Sequence, residues 1–137
     1  MHRKILIWGL LFSLLSVVLG AFGAHALKAF VTLDKLGVFE TGVRYQFMHG
    51  IALILLSLYA SQNNSLLGAQ KGIGWAAHFF IVGIFCFSGS LYLLTLQSIF
   101  SFSGAHFLGP ITPIGGLFFM LGWLNWLRVV FVNKVDK

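Results

Sequence analysis

Residues Ile5–Ala24 read ILIWGLLFSLLSVVLGAFGA, an unbroken run without a single charge. A helix needs about 20 predominantly apolar residues to cross the hydrocarbon core of a bilayer, so this stretch alone points to a membrane protein. Arg3-Lys4 before it and Ala21-Phe22-Gly23-Ala24 at its end also fit a secretory signal. The apolar core of such a signal is shorter, roughly 7–15 residues, and the run is read as a retained first span.

Three more stretches follow the same rule. The second runs from about Tyr45 to Ala60, and its helix is expected to start earlier, near Leu36, because the run is short by itself. The third covers about Trp75–Leu96 and the fourth Pro113–Val132. A charged connector (His25–Arg44), a polar loop (Ser61–Gly72) and a Gly/Ser/Pro loop (Gln97–Thr112) separate them. Thr112-Pro113 reads as an N-cap followed by proline at the first helical position. The expected architecture is a single domain over residues 1–137, all-α and polytopic, with four transmembrane helices in a compact left-handed bundle.

Composition agrees. The chain of 137 residues is 58% hydrophobic and 9% charged, against about 25% charged in an ordinary soluble domain. So little charge cannot cover a soluble core, and apolar surface on that scale aggregates in water. The basic residues flank apolar runs rather than clustering on a face with stacking aromatics, which argues for lipid head groups as partners and against nucleic acid. Cys86 stands alone, so it forms no internal disulfide and is read as a packing residue.

Direction follows from Lys and Arg counts in the short loops. Arg3, Lys4, Lys71, Arg128, Lys134 and Lys137 fall on one side, and Lys28, Lys35 and Arg44 on the other. Both termini are therefore expected in the cytoplasm. Trp8, Trp75, Trp123, Trp126 and Tyr59 fall toward the cytoplasmic ends of their spans and Tyr45 and Tyr92 toward the outer ends, in keeping with aromatic belts.

Helices in lipid associate through small residues that let backbones approach. Gly9, Ser13, Ser16, Gly20 and Gly23 share one face of the first helix at 100° per residue. Ala76, Gly83 and Ser90 recur every seven residues in the third, and Gly115 and Gly122 in the fourth, the spacing of a left-handed seam. Gly23-Ala24-His25-Ala26-Leu27 and Gly104-Ala105-His106-Phe107-Leu108 echo each other, compatible with duplication of a two-helix unit or with coincidence in a Gly/Ala-rich chain.

The densest polar cluster is Glu40, Thr41, Arg44, Tyr45, Gln46 and His49, at the entry to the second span. Glu40 precedes Arg44 by four residues, the favourable order for a helical ion pair. An ionisable residue inside a span is a functional hypothesis by default, so the cluster could line a proton, ion or solute route. The preferred reading is a polar clamp that fastens the outer end of this helix to the loops after helices one and three, since an unpaired charge at the bilayer centre costs roughly 2.5–3.5 kcal/mol and pairing alone accounts for the residues. His25 and His106 lie on the same expected outer face as His49. Three imidazoles suffice for zinc or copper, but no two are close in sequence, and capping or loop hydrogen bonding is the preferred role. Asn125 is read as interhelical glue. Asp34, Glu40 and Asp136 are the chain's acids, too scattered for a carboxylate pathway, and no phosphate loop, HExxH or Gly-x-Ser-x-Gly appears. No enzyme activity, cofactor or metal is expected.

Four segments in order resemble one family. They are Gly20-Ala21-Phe22-Gly23-Ala24-His25-Ala26-Leu27, Glu40-Thr41-Gly42-Val43-Arg44-Tyr45-Gln46 with His49, Phe87-Ser88-Gly89-Ser90-Leu91-Tyr92, and Gly109-Pro110-Ile111-Thr112-Pro113-Ile114-Gly115-Gly116. The chain is similar to the bacterial family known as domain of unknown function 423, related to animal transmembrane protein 256. The resemblance implies a small four-helix protein of the bacterial inner membrane without an agreed activity or established catalytic residues. Together with the absence of catalytic groups, it leads to the expectation of a homo-oligomeric bundle that supports membrane integrity or assists other membrane proteins. The alternative is a minimal channel or transporter.

Overall fold

The computed structural model describes residues 2–62, 67–100 and 105–135. Helix α1 is His2–His25, followed by a 3-10 turn at Leu27–Ala29, and α2 is Leu33–Gln62. The third span is α3 (Leu67–Gly83), a π-helical segment (Ile84–Ser88) and α4 (Gly89–Phe100) in direct succession, and α5 is Ala105–Val135. Four of these stretches are long and apolar enough to cross a membrane: His2–Ala29, Leu33–Gln62, Gln70–Phe100 and Leu108–Val132. The protein is an all-α membrane protein with four spanning helices.

Three helices start well before their apolar runs. Helix α3 begins at Leu67 rather than near Trp75, so residues 67–72 of the expected Ser61–Gly72 loop are helical, as are Ser61 and Gln62 at the end of α2. The start of α2 lies at Leu33, not near Leu36, because Thr32 caps it: the Lys35 amide donates to Thr32 Oγ1 at 3.4 Å and the Leu36 amide to the Thr32 carbonyl at 2.9 Å. Asp34 in the first turn complements the helix dipole. The start of α5 lies at Ala105, so Thr112-Pro113 is interior rather than a cap, and much of the expected Gln97–Thr112 loop is helical. Proline removes an amide donor, at a cost of about 3 kcal/mol in a helix interior. Membrane helices tolerate it where Ser/Thr side chains and neighbours satisfy the freed groups. Pro113 frees the Gly109 carbonyl, one residue from where the Thr112 hydroxyl reaches back to the Leu108 carbonyl at 3.4 Å and bonds Ser90 Oγ at 2.7 Å, which ties this part of α5 to α4.

The bundle is built around α2. It packs along the length of α1 and also touches α3, the π segment and α4, while α3 and the π segment pack on α5. Close approach needs glycine at particular points. A Cβ on Gly9 would stand 2.9 Å from the Gly50 carbonyl oxygen, and one on Gly50 would stand 3.1 Å from the Ser13 amide, so α1 and α2 cross backbone to backbone. A Cβ on Gly115 would collide with the amide and Cα of Phe87, which places the α5 backbone directly against the π segment. Gly83 and Gly122 seat the rings of Phe119 and Phe80 in the same reciprocal way between α3 and α5. Beneath these crossings Leu53, Leu56, Ile73, Ala76 and Phe80 form the dry core.

Hydrogen bonds tie the helices at both ends. Ser57 Oγ donates to the His2 carbonyl at 2.9 Å, Gln70 Nε2 to the Ala60 carbonyl at 3.3 Å, and Asn125 Nδ2 to the Gly72 carbonyl at 2.6 Å. At the opposite end Thr95 Oγ1 donates to the Lys35 carbonyl at 3.2 Å. The two Gly-Ala-His segments do not occupy equivalent places. One closes α1, the other opens α5, and Gly104 lies outside the described residues.

Candidate functional site

With α2 starting at Leu33, the polar cluster is not at the mouth of the span but around its middle. At 1.5 Å per residue, Gln46 lies roughly 20 Å from the start of α2. Its amide is buried and fully directed: Nε2 donates to the Phe12 carbonyl of α1 at 3.0 Å, and Oε1 accepts from the Tyr92 hydroxyl of α4 at 2.9 Å. One side chain thus joins three helices. The Phe12 carbonyl also accepts from Ser16 Oγ at 2.8 Å. Gly42, one turn before Gln46, makes room for the Tyr92 ring, since a Cβ there would stand 2.8 Å from Tyr92 Cε1.

One turn further, His49 is buried against α3 and α5. Its ring lies flat on Phe119, with centroids 3.6 Å apart and planes 9° from parallel, and 5.5 Å from the Phe80 centroid. Nδ1 is 2.8 Å from the Tyr45 carbonyl, and Nε2 accepts from the Trp123 indole N–H at 3.2 Å. A carbonyl can only accept and an indole N–H can only donate. These partners fix the neutral tautomer with the proton on Nδ1, and both ring nitrogens are engaged.

The rest of the cluster faces outward. Glu40 and Arg44 are exposed and Thr41 half-buried, its hydroxyl turned back to the Gly37 carbonyl at 2.8 Å. The i,i+4 spacing suggests an intrahelical ion pair, yet among the described residues no ion pair joins Glu40 to Arg44. Both lie instead along a groove of about 340 Å³ between α1 and α2, walled by Ser16, Val17, Gly20 and Val43. Tyr45 packs against Phe87 of the π segment, with ring centroids 4.6 Å apart and planes tilted by 36°, and borders a second groove, of about 470 Å³, between α2 and α5.

The three outer histidines are not brought together by the described residues. His25 is exposed at the end of α1, where the contact of Gly23 with Phe39 sets it near the start of α2, far from His49. His106 is in the first turn of α5, and its side chain lies outside the described residues. Among the described residues no group of three His, Cys, Asp or Glu side chains is arranged to hold a metal ion.

Sequence reasoning passed over the partners. Tyr92 and Trp123 read as interface aromatics, whereas they hydrogen-bond Gln46 and His49 inside the bundle. Gly42, Gly50 and Gly72 were also missed. Gly42 and Gly50 fall eight residues apart, one turn either side of Gln46 on one face of α2, a small-residue spacing that could have flagged them.

A family model described as "Protein of unknown function (DUF423)" matches residues 19–116. A UPF0382 membrane protein of Staphylococcus haemolyticus is 39% identical, over 89% of this chain and 90% of the relative. The UPF0382 membrane protein YwdK of Bacillus subtilis is 37% identical over 89% and 91%. A UPF0382 membrane protein of Haemophilus influenzae is 35% identical over 86% of each chain. No solved structure matches.

Proposed function

The chain belongs to the DUF423 family of membrane proteins, and from that premise we propose a non-enzymatic structural or accessory bundle that supports membrane integrity. The observation that carries this reading is the use made of the polar groups in the middle of α2. Gln46 and His49 direct their nitrogens and oxygen at partners on α1, α4 and α5 and at the Tyr45 carbonyl. A conduction route through Glu40, Arg44, Tyr45 and His49 requires groups that exchange partners with a passing proton or ion. His49 instead has an acceptor-only partner on one nitrogen and a donor-only partner on the other.

The setting we propose is the bacterial cytoplasmic membrane, with both termini inside. With Arg44 in the middle of α2, the outer side keeps Lys28 and Lys35 against Arg3, Lys4, Lys71, Arg128, Lys134 and Lys137, which strengthens the positive-inside bias. Leu10, Leu11, Leu14 and Val18 of α1 are exposed and would face lipid chains. Self-association, and contact with other membrane proteins, complete the proposal.

Two experiments test it. Proton and ion flux is measured in liposomes holding the wild type, His49→Ala or Glu40→Ala, alongside thermal unfolding in detergent. Flux no greater than in empty liposomes, with a lowered unfolding temperature for His49→Ala, is the expected result; flux abolished by either substitution would replace the structural reading with transport. C-terminal fusions to a reporter active only in the cytoplasm should be active, and an inactive fusion overturns the orientation.

A further inference from the structure

Glu40 and Arg44 are charged side chains left uncovered at membrane depth. The register of α1 on α2 shows how deep they lie. His2 meets Ser57, Gly9 meets Gly50, Phe12 meets Gln46 and Gly23 meets Phe39, so the helices run antiparallel in continuous contact. In that register Ser16 and Val17, near the midpoint of the uncharged run Ile5–Ala24, share a groove with Val43 and Arg44. A run of about 20 residues only just spans the hydrocarbon core, so Arg44 lies close to its centre. Glu40 is one turn nearer the start of α2, about 6 Å along the axis. Charged residues at such depth turn to a protein interior or a water-filled cavity and pair there. Here the monomer presents both to the outside.

We infer that the groove between α1 and α2 is the interface with a second copy of this chain, in which Glu40 of each copy pairs with Arg44 of the other. Charge complementarity selects this occupant. Two copies inserted in the same direction are related by a twofold axis along the membrane normal, and an isologous contact brings each residue's partner twice. An acid and a base one turn apart on the same face are then self-complementary, because the long arginine side chain spans the axial offset, as charged pairs do across parallel coiled coils. The bidentate fork of Arg44 suits a carboxylate held in a dry site. Both unpaired charges are answered at once, whereas a lipid phosphate would answer Arg44 alone. Gly20 lowers the wall of the groove between them, and the remaining lining is apolar apart from Ser16, whose hydroxyl is turned to the Phe12 carbonyl. The inference rests on the reading of the chain as a self-associating bundle and adds the residues that join the copies.

The test uses the full chain in nanodiscs and in mild detergent, with oligomeric state read by light scattering and single-molecule photobleaching. Wild type is expected to be dimeric. Glu40→Arg and Arg44→Glu should each be monomeric at concentrations where the wild type pairs, with at least a tenfold weaker association. Mixed with different affinity tags, these two variants should co-purify as a heterodimer, since one then carries two bases and the other two acids. Unfolding transitions, together with the milder Glu40→Gln and Arg44→Gln, separate lost pairing from lost folding, because both side chains are exposed in the monomer. A monomeric wild type, single variants that dimerise as well as the wild type, or a failure of the mixed variants to co-purify overturns the interface; an intrahelical pair or lipid occupancy would give the last of these. Dimerisation is read without reference to flux, so this interface and the structural function can fail independently.

Discussion

The indole N–H of Trp123 and the Nε2 of His49, 74 residues apart in sequence, meet at 3.2 Å in the middle of the bundle. The contact joins α5 to α2 and completes the hydrogen bonding of a buried imidazole that lies flat on Phe119. A buried polar atom deprived of its partner costs about 1–3 kcal/mol.

Trp123→Phe should therefore lower unfolding stability by about 1–3 kcal/mol, measured by denaturant unfolding in mixed micelles. His49→Phe, which removes the imidazole that needs the partner, should recover part of that loss when combined with Trp123→Phe. Stability of Trp123→Phe equal to wild type would show that the bond contributes nothing.

Gln46 is the second junction, and its two bonds should be separable. Tyr92→Phe removes the hydroxyl that Oε1 accepts from, while Gln46→Leu removes this bond and the one to the Phe12 carbonyl. A double-mutant cycle should give a coupling of roughly 0.6–1.7 kcal/mol, the range of interhelical hydrogen bonds in membranes. Additive effects of the two substitutions would mean the hydroxyl and amide do not interact.

Glycine substitutions should divide sharply by position. At Gly115 an added Cβ meets the backbone of Phe87, which cannot step aside, and at Gly50 it meets the Ser13 amide at 3.1 Å. Gly115→Ala and Gly50→Ala are expected to separate the helices and cost several kcal/mol in total, through lost packing on both sides of each crossing. Gly37, in α2 with nothing within 4 Å of its added Cβ, should gain about 0.5–1 kcal/mol as alanine. The readout is the thermal midpoint in detergent, and equal effects at the three positions would contradict the crossings.

Two neighbouring serines should respond in opposite directions. Ser88 is fully buried in the π segment, and its hydroxyl has no hydrogen-bond partner among the described residues. Ser90 bonds Thr112 Oγ1 at 2.7 Å. Ser88→Ala should be neutral or stabilising by up to about 1 kcal/mol, and Ser90→Ala should destabilise by about 1 kcal/mol. A destabilised Ser88→Ala would reveal a partner for that hydroxyl.

Much of this arrangement is written locally. Ile5–Ala24 declares a span because its uncharged run is long enough to cross the bilayer, and Gly9, Gly23, Gly83, Gly115 and Gly122 declare close packing by their spacing. The start of α2 is hidden because Lys35, Glu40 and Arg44 look like a connector, while a cap at Thr32 and the cover given to Gln46 and His49 by other helices decide otherwise. Pro113 misleads for the same reason: its local meaning as a helix start yields to the Thr112–Ser90 contact on another helix. Gln46 and His49 are visible as anomalies in an apolar run. Their partners are not, because pairings across 46 and 74 residues leave no local pattern.

The position of Gln46 and His49 also sets a timetable for biogenesis. As the chain leaves the ribosome, α1 precedes α2, and its Phe12 carbonyl is on hand to receive the Gln46 amide. Tyr92 and Trp123 are synthesised later, so until α4 and α5 arrive one oxygen of Gln46 and one nitrogen of His49 face lipid without a partner, an arrangement hydrocarbon penalises heavily. A nascent or truncated chain that stops short of α5 therefore carries a polar flaw at mid-membrane depth. That flaw disappears only when the hydroxyl of Tyr92 and the indole of Trp123 have joined the bundle.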